Sequence, residues 1–229
     1  MIRRDEAVLR VAGTDFLATT DGALFWPEES LAVVSDLHLE KGSSFAERRT
    51  LLPPYDTAET LARLARFLAR FAPRRLVFLG DSFHDRRAGG RIAAGDRETL
   101  TRCLAGRDVF WIAGNHDPDP PVGFGGTATA TLAIGSVLFR HEPSADAQPG
   151  EIAGHLHPVA RVAARGRSVR RRCFAGDGLR AILPAFGAYA GGLNVRDEAF
   201  APLFPNGFTA HLMGDRRVFA FPRARCLGG

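Results

Sequence analysis

The stretch Leu31-Ala-Val-Val-Ser-Asp-Leu-His38 decides how the rest of the sequence is read. An apolar run that gives way at once to acid and imidazole has the pattern of a buried strand with polar chemistry at its carboxyl end. Upstream, Val8 to Phe25 reads as short strands around the turn residues Gly13 and Asp21-Gly22. Downstream, Asp56 opens a helix, with Glu59 as its expected capping-box partner. Leu61, Leu64, Ala65 and Leu68 recur at helical spacing up to Phe71, and Pro73 ends the run. Leu76–Leu79 is a second buried strand, a shorter helix is expected from Asp96 to Leu104, and Val109–Ile112 is a third strand. Alternation of strand, helix and strand predicts an α/β arrangement with a parallel core. Beyond Gly126, β segments are expected near Ala128–Ala133, Val137–Arg140, Glu151–Gly154, Val169–Phe174, Ala181–Leu183 and Val218–Phe221. They imply a second, largely antiparallel sheet packed on the first.

With 229 residues, 45% apolar and 24% charged, the chain is expected to form one domain over residues 1–229, with a sizeable core and little disorder. No apolar run approaches the roughly 20 residues of a membrane helix. Met1 to Glu6 leads into mixed sequence without the apolar segment of a secretory signal. Cys103, Cys173 and Cys226 are too few and too scattered for a disulfide framework or a thiolate zinc site, so a cytoplasmic location is expected. The net charge of +5 is carried almost wholly by arginine, because Lys41 is the only lysine. Codon bias toward G and C is the favoured account, with a surface that attracts a polyanion as the alternative.

The three strands of the first half end in Ser35-Asp-Leu-His38, Gly80-Asp81 and Gly114-Asn-His-Asp117. His141 and Gly154-His-Leu-His157 follow expected strands of the second half. Strand ends of an open α/β sheet converge on one crevice, so these residues are expected to meet. The donors are imidazole, carboxylate and one amide oxygen, which suit Mn, Fe or Zn at a reactive site better than a structural zinc. Seven candidates, Asp36, His38, Asp81, Asn115, His141, His155 and His157, are too many for one ion with a substrate position open. They suit two ions sharing a carboxylate. Glycines before Asp81, Asn115 and His155 would let the backbone turn sharply and bring each side chain inward. Any one Asp-x-His pair is weak evidence; the ordered set is strong. Only His211 stands apart, with a surface or structural role as its default.

Through Asp36-Leu-His38, Gly80-Asp81, Gly114-Asn-His116, His141 and Gly154-His-Leu-His157, the sequence resembles the calcineurin-like metallophosphoesterase superfamily. Ser35–Gly42, Leu52-Pro-Pro-Tyr-Asp56, Gly80–Asp85, Gly150–Pro158 and Leu183–Asn194 are similar to the bacterial ligase-associated DNA-damage-response endonuclease family. That resemblance implies a four-layer α/β/β/α sandwich of two mixed sheets flanked by helices. It implies a DNA phosphodiesterase with two divalent ions, most readily Mn(2+), and functional association with a DNA ligase, a helicase and an exonuclease-like protein. Asp36, His38 and His157 would hold one ion, Asn115, His141 and His155 the other, and Asp81 would bridge them. His116 would face the scissile phosphate, where a water polarised by both ions attacks in line.

Many superfamily members carry an acidic or amide residue three positions after the bridging aspartate, supporting the catalytic histidine. Here that position is His84, followed by Asp85, so either Asp85 supports His116 or His84 itself faces the substrate. Arg161, Arg165, Arg167, Arg170, Arg171 and Arg172 follow the Gly-His-Leu-His motif. On a strand, Arg170 and Arg172 share one face, from which they could hold phosphates flanking the scissile bond; a charged, solvated edge strand is the alternative. Phe45, Tyr55, Phe83, Phe186 and Tyr189 could stack on bases or simply pack. The rival readings are a phosphoesterase for small esters and a non-catalytic scaffold on the same fold.

Overall fold

The computed structural model describes residues 6–50, 52–119, 123–146, 148–164 and 166–228. The first sheet takes seven strands in chain order: β1 (Glu6–Val11), β2 (Thr14–Thr19), β3 (Leu24–Trp26), β4 (Leu31–Val34), β5 (Arg75–Phe78), β6 (Asp108–Ile112) and β7 (Thr127–Thr129). The first four pair antiparallel, while β4 through β7 are parallel. The parallel half is the expected one, and its crossovers carry α1 (Lys41–Glu47), α2 (Asp56–Phe71), α3 (Ala88–Arg91) and α4 (Ala94–Leu104).

The second sheet contains β8 (Thr131–Ile134), β9 (Val137–Arg140), β10 (Glu151–Ala153), β11 (Pro158–Ala164), β12 (Arg167–Gly176), β13 (Ala181–Ile182) and β14 (Leu193–Asn194). The hairpin β15 (Thr209–Met213) and β16 (Val218–Pro222) joins it through β12. It is mixed: β9, β10 and β13 run parallel, and antiparallel pairs surround them.

The continuous apolar run of β4 has a simple cause. Leu31 and Val33 face the second sheet, where Phe139, Ile152 and Phe174 meet them, while Ala32 and Val34 face Leu61, Leu64 and Phe67 of α2. In the next strand Val77 faces the second sheet, and Leu76 and Phe78 face the helices. Burial on both faces removes any need for polar alternation. The far side of the second sheet, including Cys173, Ala175 and Leu212, lies under Val195, Phe200, Leu203, Phe204 and Phe208. Its cover is a 3-10 turn at Glu198–Phe200 with irregular chain, so the outermost layer is thinner than a helical one.

Three local expectations change. The single segment foreseen at Ala128–Ala133 divides, with β7 in the first sheet and β8 in the second, because the chain crosses between layers there. β11, β14 and β15 were not foreseen; β11 is rich in alanine and interrupted by Arg161, which conceals its alternation. The capping box also fails. The Asp56 carboxylate accepts from the Gly42 backbone N–H at 3.0 Å and so ties α1 to α2. His211 lies part-buried on β15, where burial lowers its pKa.

Candidate active site

Because β4, β5 and β6 are parallel neighbours, their carboxyl ends deliver Asp36 and His38, Asp81, and Asn115 and His116 side by side. The parallel pair β9 and β10 delivers His141, His155 and His157 from the other sheet. All seven candidate ligands therefore meet where the ends of the two sheets come together. Five of them, Asp36, His38, Asp81, His155 and His157, hold left-handed backbone with φ between 45° and 68°. Such a conformation is unfavourable for residues with a Cβ and clusters at functional sites.

The donor atoms form two groups. In one, His38 Nε2 lies 3.3 Å from His157 Nε2, which is 3.1 Å from Asp36 Oδ1. In the other, Asn115 Oδ1 lies 2.9 Å from His141 Nε2 and 3.0 Å from His155 Nδ1, and the two imidazole nitrogens are 3.2 Å apart. Asp81 stands between them, with Oδ1 3.6 Å from His141 Nε2 and Oδ2 3.9 Å from His38 Nε2. Lone pairs converging at such separations suit a cation among them, and apart from its contact with His157 buried Asp36 Oδ1 has no hydrogen-bond partner among the described residues. Within each of the sets Asp36, His38, His157 and Asp36, Asp81, His141, one ligand atom per residue lies within 4.8 Å of the others. The residues fit divalent ions.

Neighbouring bonds aim these donors. Asp36 Oδ2 accepts from Ser35 Oγ and from the His155 backbone N–H, which leaves Oδ1 for the site. His141 Nδ1 donates to the Leu79 carbonyl at 2.7 Å, fixing the tautomer that presents Nε2. Burial, partly offset by the Asp36 charge, lowers His38 to about 3, so its ring is neutral near pH 7 and its lone pair is available. Burial alone would raise the Asp36 carboxyl, but its bond to His157 and the charges of His157 and His141 bring it below its ordinary value.

The question left by His84 and Asp85 has a structural answer. His116 Nδ1 lies 2.9 Å from the His84 backbone carbonyl, so the support for His116 is a main-chain oxygen. The His84 ring stacks on the His116 ring with centroids 5.2 Å apart and sits 5.5 Å from His38, at the site. Asp85 does not support His116: its carboxylate is held by Arg91 at 2.6 and 3.0 Å. Sequence reasoning passed over Asp117, although it completes the Gly114-Asn-His-Asp117 run. Its Oδ2 accepts from the Phe83 N–H at 3.0 Å, fastening the loop that carries Asp81 and His84, and burial raises the carboxyl to about 7.

The glycine expectation holds at one position and changes its reason at two. Gly80 has φ +79°, as a sharp turn requires. Gly114 and Gly154 have ordinary backbone and are needed for close approach instead. A Cβ on Gly114 would lie 2.2 Å from the Asp81 nitrogen, and one on Gly154 only 1.9 Å from Ser35 Oγ. Gly154→Ala should therefore push Ser35 and Asp36 aside, costing about 1–3 kcal/mol. Denaturant unfolding, with divalent-ion titration beside it, should show both lower stability and weaker ion binding.

The proposed phosphate-holding arginines fare differently. Arg172 is part-buried, and its guanidinium donates to the carbonyls of Ala185, Ala188 and Ala190, so it clamps that loop and is not free for phosphate. Arg170, on the same strand face, is exposed and donates to the Gly192 carbonyl. Arg165 lies outside the described residues. Of the aromatics, Phe83 and Phe186 are buried in the core beside the helices, Tyr55 is largely exposed, and Phe45 and Tyr189 are partly exposed.

Two mixed sheets whose strand ends gather carboxylate, amide and imidazole donors into adjoining groups, with a further histidine at the open side, define a metal-dependent phosphoester hydrolase. The chain belongs to the calcineurin-like phosphoesterase family, whose model matches residues 30–172. Among solved structures it is similar to the nuclease MPE of Pseudomonas putida, at 29% identity over 94% of this chain and 100% of that one, with a TM-score of 0.71. It also matches a phosphoesterase from E. coli, Yfce, at 15% identity over 85% and 98% of the two chains, with a TM-score of 0.41. No curated protein sequence matches the chain significantly. Among the described residues, no helix is long and apolar enough to cross a membrane.

Proposed function

We propose that this protein is a DNA phosphodiesterase, cutting as an endonuclease in repair, and that it works with two divalent ions, manganese before iron or zinc. The observation that carries the two-ion reading is Asp81, whose two oxygens face separate groups of donors. Asp36, His38 and His157 would hold one ion, Asn115, His141 and His155 the other, and Asp81 both. Ions held there would supply positive charge for the phosphate oxygens and lower the pKa of a water that serves as nucleophile. His116 handles the proton at Nε2. With Nδ1–H given to the His84 carbonyl, Nε2 lies 3.9 Å from Asp81 Oδ2 on a side chain 40% exposed. Protonated there, it donates to a phosphate oxygen or to the departing alkoxide. His84, stacked on that ring, limits its rotation and lines the same wall.

Support for a nucleic-acid substrate comes from the likeness to the Pseudomonas putida nuclease over nearly the full length of both chains, and DNA in particular follows from the sequence resemblance. The repair setting, with a ligase, a helicase and an exonuclease-like protein as functional associates, follows from the sequence resemblance. Manganese-loaded protein should nick plasmid or cleave single-stranded oligonucleotides, and should also hydrolyse bis(p-nitrophenyl) phosphate. Turnover of the small ester with no cutting of any DNA would remove the nuclease reading and leave the phosphoesterase. Absence of divalent-dependent hydrolysis of either would remove the two-ion assignment too.

A further inference from the structure

We propose that Lys41 and Phe45 form a subsite for the nucleotide beside the scissile bond, the ammonium taking its phosphate and the ring its base. The proposal rests on the DNA reading above and adds the residues that distinguish a polynucleotide from a small ester. Positions four apart on α1 share a face, and Lys41 Nζ stands 5.8 Å from the Phe45 ring centroid. Phe45 lies 5.9 Å from the His84 ring, and His84 is stacked in turn on His116. The pair thus extends outward a row of rings that begins at the candidate proton donor.

Lys41 is suited to the task. One N–H of its ammonium anchors on the Tyr189 carbonyl at 3.1 Å, and among the described residues no carboxylate forms an ion pair with it. Arg172, by contrast, is held by three carbonyls. The platform is rigid: Arg91 bridges Ser43 Oγ on α1 to the Asp85 carboxylate, and Asp56 holds the Gly42 N–H. A base and a phosphate would meet groups already in position, which lowers the ordering cost of binding. Stacking of this kind tolerates any base, and an ammonium on a phosphate reads no sequence.

The test compares manganese-loaded Lys41→Gln and Phe45→Ala with the native chain on a short single-stranded oligonucleotide and on bis(p-nitrophenyl) phosphate. For each variant the ratio of kcat/KM on the oligonucleotide to kcat/KM on the ester should fall about tenfold, mostly through KM. Lys41→Arg and Phe45→Tyr should restore most of it. Glutamine can still donate to the Tyr189 carbonyl, so the loop anchor survives. Since Lys41 is the only lysine, acetylation read by peptide mass spectrometry reports on it apart from the α-amino group, and the oligonucleotide should protect it. Equal losses on both substrates, or an unchanged ratio with unprotected Lys41, would overturn the subsite while leaving the nuclease intact. A native chain that cuts no oligonucleotide overturns the DNA reading and the subsite together.

Discussion

Asp81→Asn should bring phosphoester hydrolysis down by on the order of a thousandfold or more, and bound divalent metal well below two ions per chain. The substitution keeps the shape of the side chain and retains an oxygen that accepts from the His116 backbone N–H, the bond Asp81 Oδ1 makes at 2.9 Å. What it removes is the second anionic oxygen and the charge. Since one carboxylate oxygen points to each donor group, no other side chain takes over for both. Asp81 is almost wholly buried, so a misfolded variant is the obvious confound, and circular dichroism with thermal unfolding would expose it. Metal analysis on dialysed protein supplies the other half of the test. A folded variant that keeps two ions and native turnover would end the bridging assignment.

His116→Ala should separate the metal from the rate. Turnover on DNA should fall by about 10²–10⁴-fold with the ion content nearly intact. The distinction comes from which atoms are lost. The bond that steadies Asp81 is made by the backbone of residue 116 and survives, whereas the imidazole, fixed by the His84 carbonyl, disappears. If the ring protonates the leaving alkoxide, the penalty should shrink for bis(p-nitrophenyl) phosphate, whose p-nitrophenolate departs without a proton. An equal penalty on both substrates would shift His116 to stabilising phosphate charge alone. Loss of metal in proportion to activity would make it a ligand.

The parallel half of the first sheet was legible because burial on both faces writes itself as unbroken apolar runs, and β4 and β5 are such runs. The candidate ligands were legible for a related reason: polar residues straight after those runs have nowhere to go but the end of the sheet. Parts of the second sheet were harder to read. β11 hides its alternation among alanines, and β14 has two residues, too few for any period to emerge. Long-range side-chain commitments were not legible at all. Whether Arg172 holds carbonyls or phosphates depends on the loop 185–190 packed beside it, and whether Asp85 serves His116 depends on Arg91. Residue type gives no sign of either. Asp117 could have been found from its place in the Gly-Asn-His-Asp run, had a buried acid been sought to fasten the neighbouring loop.

The division of the donors between two layers also sets the timing of activity during synthesis. A ribosome that has released the polypeptide only as far as β7 has delivered Asp36, His38, Asp81 and Asn115, yet none of the imidazoles at 141, 155 and 157. Half a coordination shell on a half-made chain is a weak chelator. The ability to break phosphoester bonds therefore arrives late in translation, once the second layer has closed over the first.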